Sequence, residues 1–277
     1  MSIRIVTDST CDLPAQTIAQ YGIRVVPLYI NIGSKGYLDG VDMQREEFYT
    51  KLPTFTQHPT TAVPSPEKYQ TAYADLAAEG ASEVLSIHIA SSLSASANVA
   101  QTAAQEKNPV PVTVLDSRQL SLGTGFLVEK AAQMAAAGAK MAEILAALEN
   151  QIKRSHVFAG LDTLEFLRRS GRVSGLMAGL GAVLQLKPIL TMYDGKAGTE
   201  RVRTGERAMK RLIELLRGVG PLERVAIVHT HTAERVAALR TAAADLLPQG
   251  KILDVDITPV IGAHIGPGAV GFAAVSK

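Results

Sequence analysis

Short β-branched runs alternate with Ala-rich segments of helical period along the first half of the chain. Ile3–Thr7 predicts a strand, Pro14–Tyr21 a short helix and Ile23–Ile30 a second strand. Ser65 ahead of Pro66-Glu67 is a helix start, and Gly80 is its stop. A strand over Glu83–Ile89, a helix over Ser94–Glu106 and a strand over Val110–Leu115 follow. Two helices, Leu120–Ala137 before Gly138 and Met141–Arg154, complete this half. The β–α alternation predicts a mainly parallel sheet with helices on both faces.

The rhythm changes after residue 155. His156–Leu161 predicts a strand, and Asp162 caps a short helix through Arg169. Leu184–Tyr193 and Lys196–Arg203 flank Asp194-Gly195, a strong two-residue hairpin signal. Helix Gly205–Arg217, strand Arg224–His229, helix Ala233–Leu246 and strands Lys251–Pro259 and Ala269–Val275 follow. A hairpin inside α/β alternation predicts a mixed sheet. The expectation is an α/β chain of two domains, 1–155 and 156–277.

Composition narrows the function classes. The 277 residues are 47% hydrophobic and 19% charged, enough to bury a sizeable core and too apolar for a disordered chain. The net charge of +2 comes without a concentrated basic run, so nucleic acid is not an expected partner. Arg168, Arg169 and Arg172, and Arg201, Arg203, Arg207, Lys210 and Arg211, are local cationic clusters. The single cysteine, Cys11, allows no disulfide within the chain and argues against a thiolate metal site. No run approaches the roughly 20 apolar residues of a membrane span. With no charged leader ahead of the first strand, the expected location is the cytoplasm.

In open α/β sheets ligands sit beyond the carboxyl ends of strands. Those ends deliver Asp8 and Ser9, then Ser91, Ser92 and Ser94, then Asp116 and Ser117, and Thr60-Thr61 adds hydroxyls before a helix. Ser94 opens a helix, where free N–H groups favour an anion and a hydroxyl can donate to a carboxylate. Helix capping explains most such residues singly; several on one edge suggest a polar pocket edge. Asp8 and Asp116 are candidate general bases or metal ligands, or turn formers. His264, in the turn-rich Gly262–Gly268 segment expected between two strands, is a candidate functional loop residue. His229 and His231 can share a strand face, but no third ligand makes a metal motif; His58, His88 and His156 are scattered. Walker, Rossmann, zincin and nucleophile-elbow motifs are absent. Val173–Leu186, rich in Gly, Ala, Leu and Met, reads as a buried helix or as one wall of an apolar tunnel.

Six segments, in order along the whole chain, resemble the DegV family. They are Ile5–Pro14 (IVTDSTCDLP), Thr61–Pro66 (TAVPSP), Ser91–Ser96 (SSLSAS), Leu164–Ser174 (LEFLRRSGRVS), Leu184–Leu190 (LQLKPIL) and His264–Ala269 (HIGPGA). The resemblance implies two α/β domains holding a long-chain fatty acid between them, of the palmitate or oleate class, with no other cofactor. It implies a carrier without catalysis of its own, the subunit that presents the acyl carboxylate to an ATP-dependent fatty acid kinase. Thr61 and Ser94 match its carboxylate-contacting hydroxyls, and His264 and Arg172 its cations. Arg172, Arg201 and Arg203 match its partner-docking region. Ala62 and Val63 stand in place of Ser and Gln, Ala95-Ser96 in place of Gly-Thr, and Ser170 in place of Gly. Two other readings stay open: a hydrolase or phosphotransferase using Asp8 and Asp116 with Cys11, and a lipid-sensing regulatory protein.

Overall fold

The computed structural model describes residues 2–171, 186–250 and 252–277. The first sheet takes β1 (Ile3–Asp8), β2 (Arg24–Val26), β6 (Glu83–His88) and β7 (Val112–Asp116), all parallel, in the order β2-β1-β6-β7. Its connections run through helices, as parallel pairing requires. α3 (Pro66–Ala78) buries Tyr69, Ala72, Tyr73 and Leu76, a spacing that lines one helical face, and packs with α4 (Ser96–Gln105) on one side of the sheet. α1 (Ala15–Tyr21) and α5 (Leu122–Ala136) lie on the other.

The second sheet is mixed, as the Asp194-Gly195 hairpin predicts. β8 (Ser155–Gly160), β9 (Lys187–Tyr193), β10 (Lys196–Val202), β11 (Leu222–His229), β12 (Asp254–Asp256) and β13 (Val270–Ser276) run in the order β10-β9-β8-β13-β11-β12. Only β11 and β12 are parallel. Asp194 and Gly195 both take positive φ, the backbone a type I′ turn needs. α8 (Gly205–Val219) turns Ala208, Leu212 and Leu216 onto the outer face of this sheet, against Phe158, Ile189 and Phe272. α9 (Ala233–Ala242) covers the same side, while α6 (Met141–Ile152) packs on α5.

α5 is buried nearly all round because it lies between the two sheets. Ile5 and Leu85 of the first sheet, Phe126 and Leu127 of α5, and Val157 and Ala273 of the second belong to one core.

Two regions differ from the sequence-based expectation. The strand expected over Ile23–Ile30 is split at Pro27, whose nitrogen cannot donate to a ladder. Its second part, β3 (Tyr29–Ile32), joins β4 (Lys35–Leu38) and β5 (Thr60–Ala62) in a separate antiparallel sheet, with α2 (Arg45–Lys51) between β4 and β5 in sequence. The strand expected through Pro259 stops at Asp256, and Pro259 begins α10 (Pro259–Ile265). His264 therefore sits in the last turn of a helix, not in a loop between strands. α10 comes so close to α2 that a Cβ on Gly262 would lie 2.2 Å from the Tyr49 hydroxyl.

Candidate functional site

A cavity of about 220 Å³ opens between the carboxyl-end loops of the first sheet and the inner face of the second. Its walls are mainly apolar. Leu28, Ile89, Leu93 and Leu120 come from the first half, Val157, Ala159, Leu190 and Met192 from the second sheet, and Val260, Ile261 and Ile265 from α10. Thr61, Ser94 and His264 all line it. Thr61 Oγ1 lies 2.9 Å from His264 Nε2, across 203 residues of sequence. β5 presents Thr61 and α10 presents His264, and Leu28, Ile30, Val260 and Ala263 hold these elements in one small core. Ser94 Oγ accepts from Ser96 N at 3.3 Å and lies 3.0 Å from Ser96 Oγ, and Ser94 lines the cavity just ahead of α4.

The other expected pocket-edge residues are used differently. Asp8, Ser9, Ser91, Ser92, Asp116 and Ser117 are not among the residues lining the cavity. Asp8 is fully buried. Its carboxylate accepts from Thr10 N at 3.0 Å and Ile89 N at 3.3 Å, and from the Thr10 hydroxyl. Ser9 Oγ accepts from Leu28 N at 3.2 Å. Asp116 accepts from Ser91 N and Oγ, at 3.2 and 2.5 Å, and from Arg118 N at 2.8 Å. Ser117 Oγ lies 2.8 Å from Thr124 Oγ1 inside the core. Ser92 Oγ donates to Gly195 O at 2.8 Å, tying the hairpin turn to the first sheet. These groups are spent on turns, strand ends and a contact between the two sheets' loops.

Two arrangements escape sequence reasoning. Tyr73 OH donates to Ser86 Oγ at 3.0 Å, Ser86 Oγ lies 2.7 Å from His88 Nε2, and His88 Nδ1 lies 2.9 Å from Asp8 Oδ2. The only sequence signal is Ser86 and His88 two apart on one strand, hence on one face. The spacing is that of a Ser–His–Asp relay. Ser86, His88 and Asp8 are all fully buried, however, and Ser86 does not line the cavity.

The second arrangement anchors α10. Asp12 accepts from Thr258 N at 2.9 Å and Ser121 Oγ at 2.6 Å, and pairs with Arg45 at 3.1 Å. The Thr258 hydroxyl donates to Asp39. Burial pushes both carboxyls up to about 6, against the pull of Arg45 and the hydroxyl donors. Thr258 immediately precedes α10, so this cluster sets where His264 stands. Thr10 and Ser121 are cavity residues that strand-end reading did not select.

Cys11 is buried, and burial pushes its thiol up to about 12, so the thiolate is strongly disfavoured. His229 and His231 both face Asp256, at 3.6 and 3.3 Å. Among the described residues no group of three or more His, Cys, Asp or Glu is placed to hold a metal. No described helix is long and apolar enough to cross a membrane. Arg201 and Arg203 are exposed at the end of β10. Arg172, and residues 173–185 of the Gly/Ala/Leu/Met-rich stretch, lie outside the described residues.

Comparison with known proteins gives a consistent picture. A family model described as "Uncharacterised protein, DegV family" matches residues 2–277. A DegV domain-containing protein of Deinococcus radiodurans is 38% identical over 278 residues, covering 99% of this chain and 98% of the relative. The structure of a DegV family protein from Thermus thermophilus, described by its fatty acid binding, superposes with a TM-score of 0.91 at 37% identity over the whole of both chains. DegV of Bacillus subtilis, described as a fatty acid binding protein, superposes with a TM-score of 0.91 at 29% identity, also over the whole of both chains.

Proposed function

The chain belongs to the DegV family, and from that premise we propose that it binds one long-chain fatty acid in the cavity between its two sheets. The observation that carries the reading is the Thr61–His264 pair, with Ser94, on the wall of an otherwise apolar cavity. Hydroxyls donate to a carboxylate without placing a fixed charge beside the apolar walls. With His264 Nε2 protonated, the imidazole donates to Thr61 Oγ1 and leaves the Thr61 hydroxyl hydrogen for the ligand. Arg172 adds a cation to this seat. The acyl tail lies on the inner face of the second sheet, each buried methylene contributing about 0.8 kcal/mol. The lobes 1–155 and 156–277 close on the ligand from either side.

In this reading the protein is a cytoplasmic carrier, not itself an enzyme. It offers the carboxylate to a kinase subunit that phosphorylates it with ATP, and Arg172, Arg201 and Arg203 contribute to the docking face. Support comes from the fatty acid binding described for the two structural relatives and from the hydroxyl-and-imidazole chemistry of the seat. Organic extraction and mass spectrometry of the purified protein test it. A stoichiometric fatty acid is the expected result. An empty protein that also fails to bind added palmitate or oleate would overturn the reading.

A further inference from the structure

The cavity floor has a direction that the strand register supplies. Leu161 N donates to Pro188 O at 2.8 Å, and Pro188 pairs with Arg201, so these residues stand level across β8, β9 and β10. α7 (Glu165–Ser170) and α10 pack together at this end, where a Cβ on Gly266 would meet the Phe166 ring at 2.4 Å. This is the end from which α10 brings His264 over the cavity.

Ala197 lies two strands away and four residues farther along the sheet, towards the hairpin turn. At about 4.8 Å per strand and about 3.4 Å per residue, it stands roughly 16 Å from Leu161. Ala197 pairs with Met192, and Met192 pairs with Val157. All three side chains face the core between the sheets, and all three line the cavity. Beyond Ala197 the turn is fastened to the first lobe. Gly195 N donates to Arg118 O at 2.9 Å, Ser92 Oγ donates to Gly195 O at 2.8 Å, and Arg118 pairs with Asp194 at 2.7 Å. Arg118 also pairs with Glu149. The strand carrying Ala197 therefore has little freedom to retreat from a longer ligand.

We propose that Ala197 sets the length of acyl chain the cavity accepts, because it lines the cavity towards the hairpin turn, across the sheet from the end where α10 carries His264, and its methyl leaves room there that a larger side chain would fill. The proposal rests on the fatty-acid reading above. Its space requirement is simple: each further carbon on residue 197 occupies volume that the last methylenes of a long ligand would otherwise fill. Keeping one methylene out of the cavity weakens binding about fourfold.

The test uses the full chain, stripped of lipid and titrated with laurate, myristate, palmitate and stearate. Binding of palmitate by the unaltered protein checks the fatty-acid reading by itself. No binding of any of the four sinks that reading, whatever residue 197 does. Given binding, Ala197→Leu is expected to weaken palmitate and stearate about tenfold or more and laurate less than about twofold. Ala197→Ser, nearly equal in size, is expected to keep the native order of affinities. Met192→Ala, which removes bulk beside Ala197, is expected to favour stearate over palmitate more than the native protein does. Thermal melts show which variants are folded. A folded Ala197→Leu protein with the native palmitate-to-laurate ratio overturns the proposal. If that variant does not fold, an unchanged stearate-to-palmitate ratio in Met192→Ala overturns it instead.

Discussion

Two polar clusters lie close to one another and behave in opposite ways. At Asp8–His88–Ser86 every member has a protein partner and none lines the cavity. At Thr61–Ser94–His264 the residues bond to neighbours, yet all line an apolar cavity. Hydroxyl and imidazole occur in both neighbourhoods, so those residue types do not distinguish them. What separates a structural network from a binding seat is whether a donor retains an unspent direction that opens on space. A buried polar network closed on itself rigidifies the loops around it. Asp8 holds Thr10 and Ile89, which are both cavity residues, and so supports the cavity wall without lining it.

Breaking the closed cluster has the largest expected effect. Asp8→Ala leaves the His88 ring and two backbone N–H groups without their acceptor, and is expected to cost about 3–5 kcal/mol of folding stability. Urea denaturation reads this directly; a loss below about 1 kcal/mol would show that the cluster does not hold the core together.

The Asp12–Asp39 cluster sharpens the contrast, since its buried charges serve α10 rather than a ligand. Both carboxyls have an ordinary value of 3.8 and stand at about 6 in the fold. Between those values the folded state binds more protons than the unfolded one. Their stabilising contribution is therefore complete below about pH 4 and is lost as pH rises through about 6. A shift of this size corresponds to about 3 kcal/mol for one group. Asp39→Asn keeps an oxygen to accept from Thr258 and removes the titration. Its urea midpoint is expected to fall less steeply between pH 4 and 6 than that of the native protein, and an identical slope would exclude Asp39 as a contributor.

The open cluster is expected to respond in binding rather than folding. The double change Thr61→Ala with Ser94→Ala removes hydroxyls worth about 1.5–3 kcal/mol each to a charged ligand, while the urea midpoint moves little. Isothermal titration with palmitate checks this; unchanged affinity would mean that the carboxylate sits elsewhere. The smallest effect is expected at the exposed hairpin latch, where Ser92→Ala should change stability by less than about 1 kcal/mol, as thermal melts can show.

Much of the fold was legible from short-range pattern. The parallel first sheet follows from β–α alternation, and Asp194-Gly195 announced the hairpin because few other dipeptides take two positive φ angles cheaply. α10 was not legible. Pro259-Val260-Ile261-Gly262-Ala263-His264-Ile265 is apolar and too short for a helical period to show, and a helix of seven residues is held by packing rather than propensity. Gly262 against Tyr49 is that packing. The three-stranded sheet over 29–62 was missed for a related reason: its strands are three or four residues long, and alternation has no length in which to appear.

The sequence by itself determined the α/β class and the hairpin, because helix and strand periods and turn preferences are local properties. The six ordered segments, read together, also pointed to the family. Only the tertiary structure decided which hydroxyls face the cavity. Asp8, Ser91, Ser92, Asp116 and Ser117 satisfy one another or nearby backbone, and their availability depends on partners that no local pattern reveals. Thr61 and His264 meet across 203 residues because a small sheet and a seven-residue helix pack around Tyr49 and Val260. That packing is a property of the assembled core, and it brings two ordinary side chains together on the cavity wall.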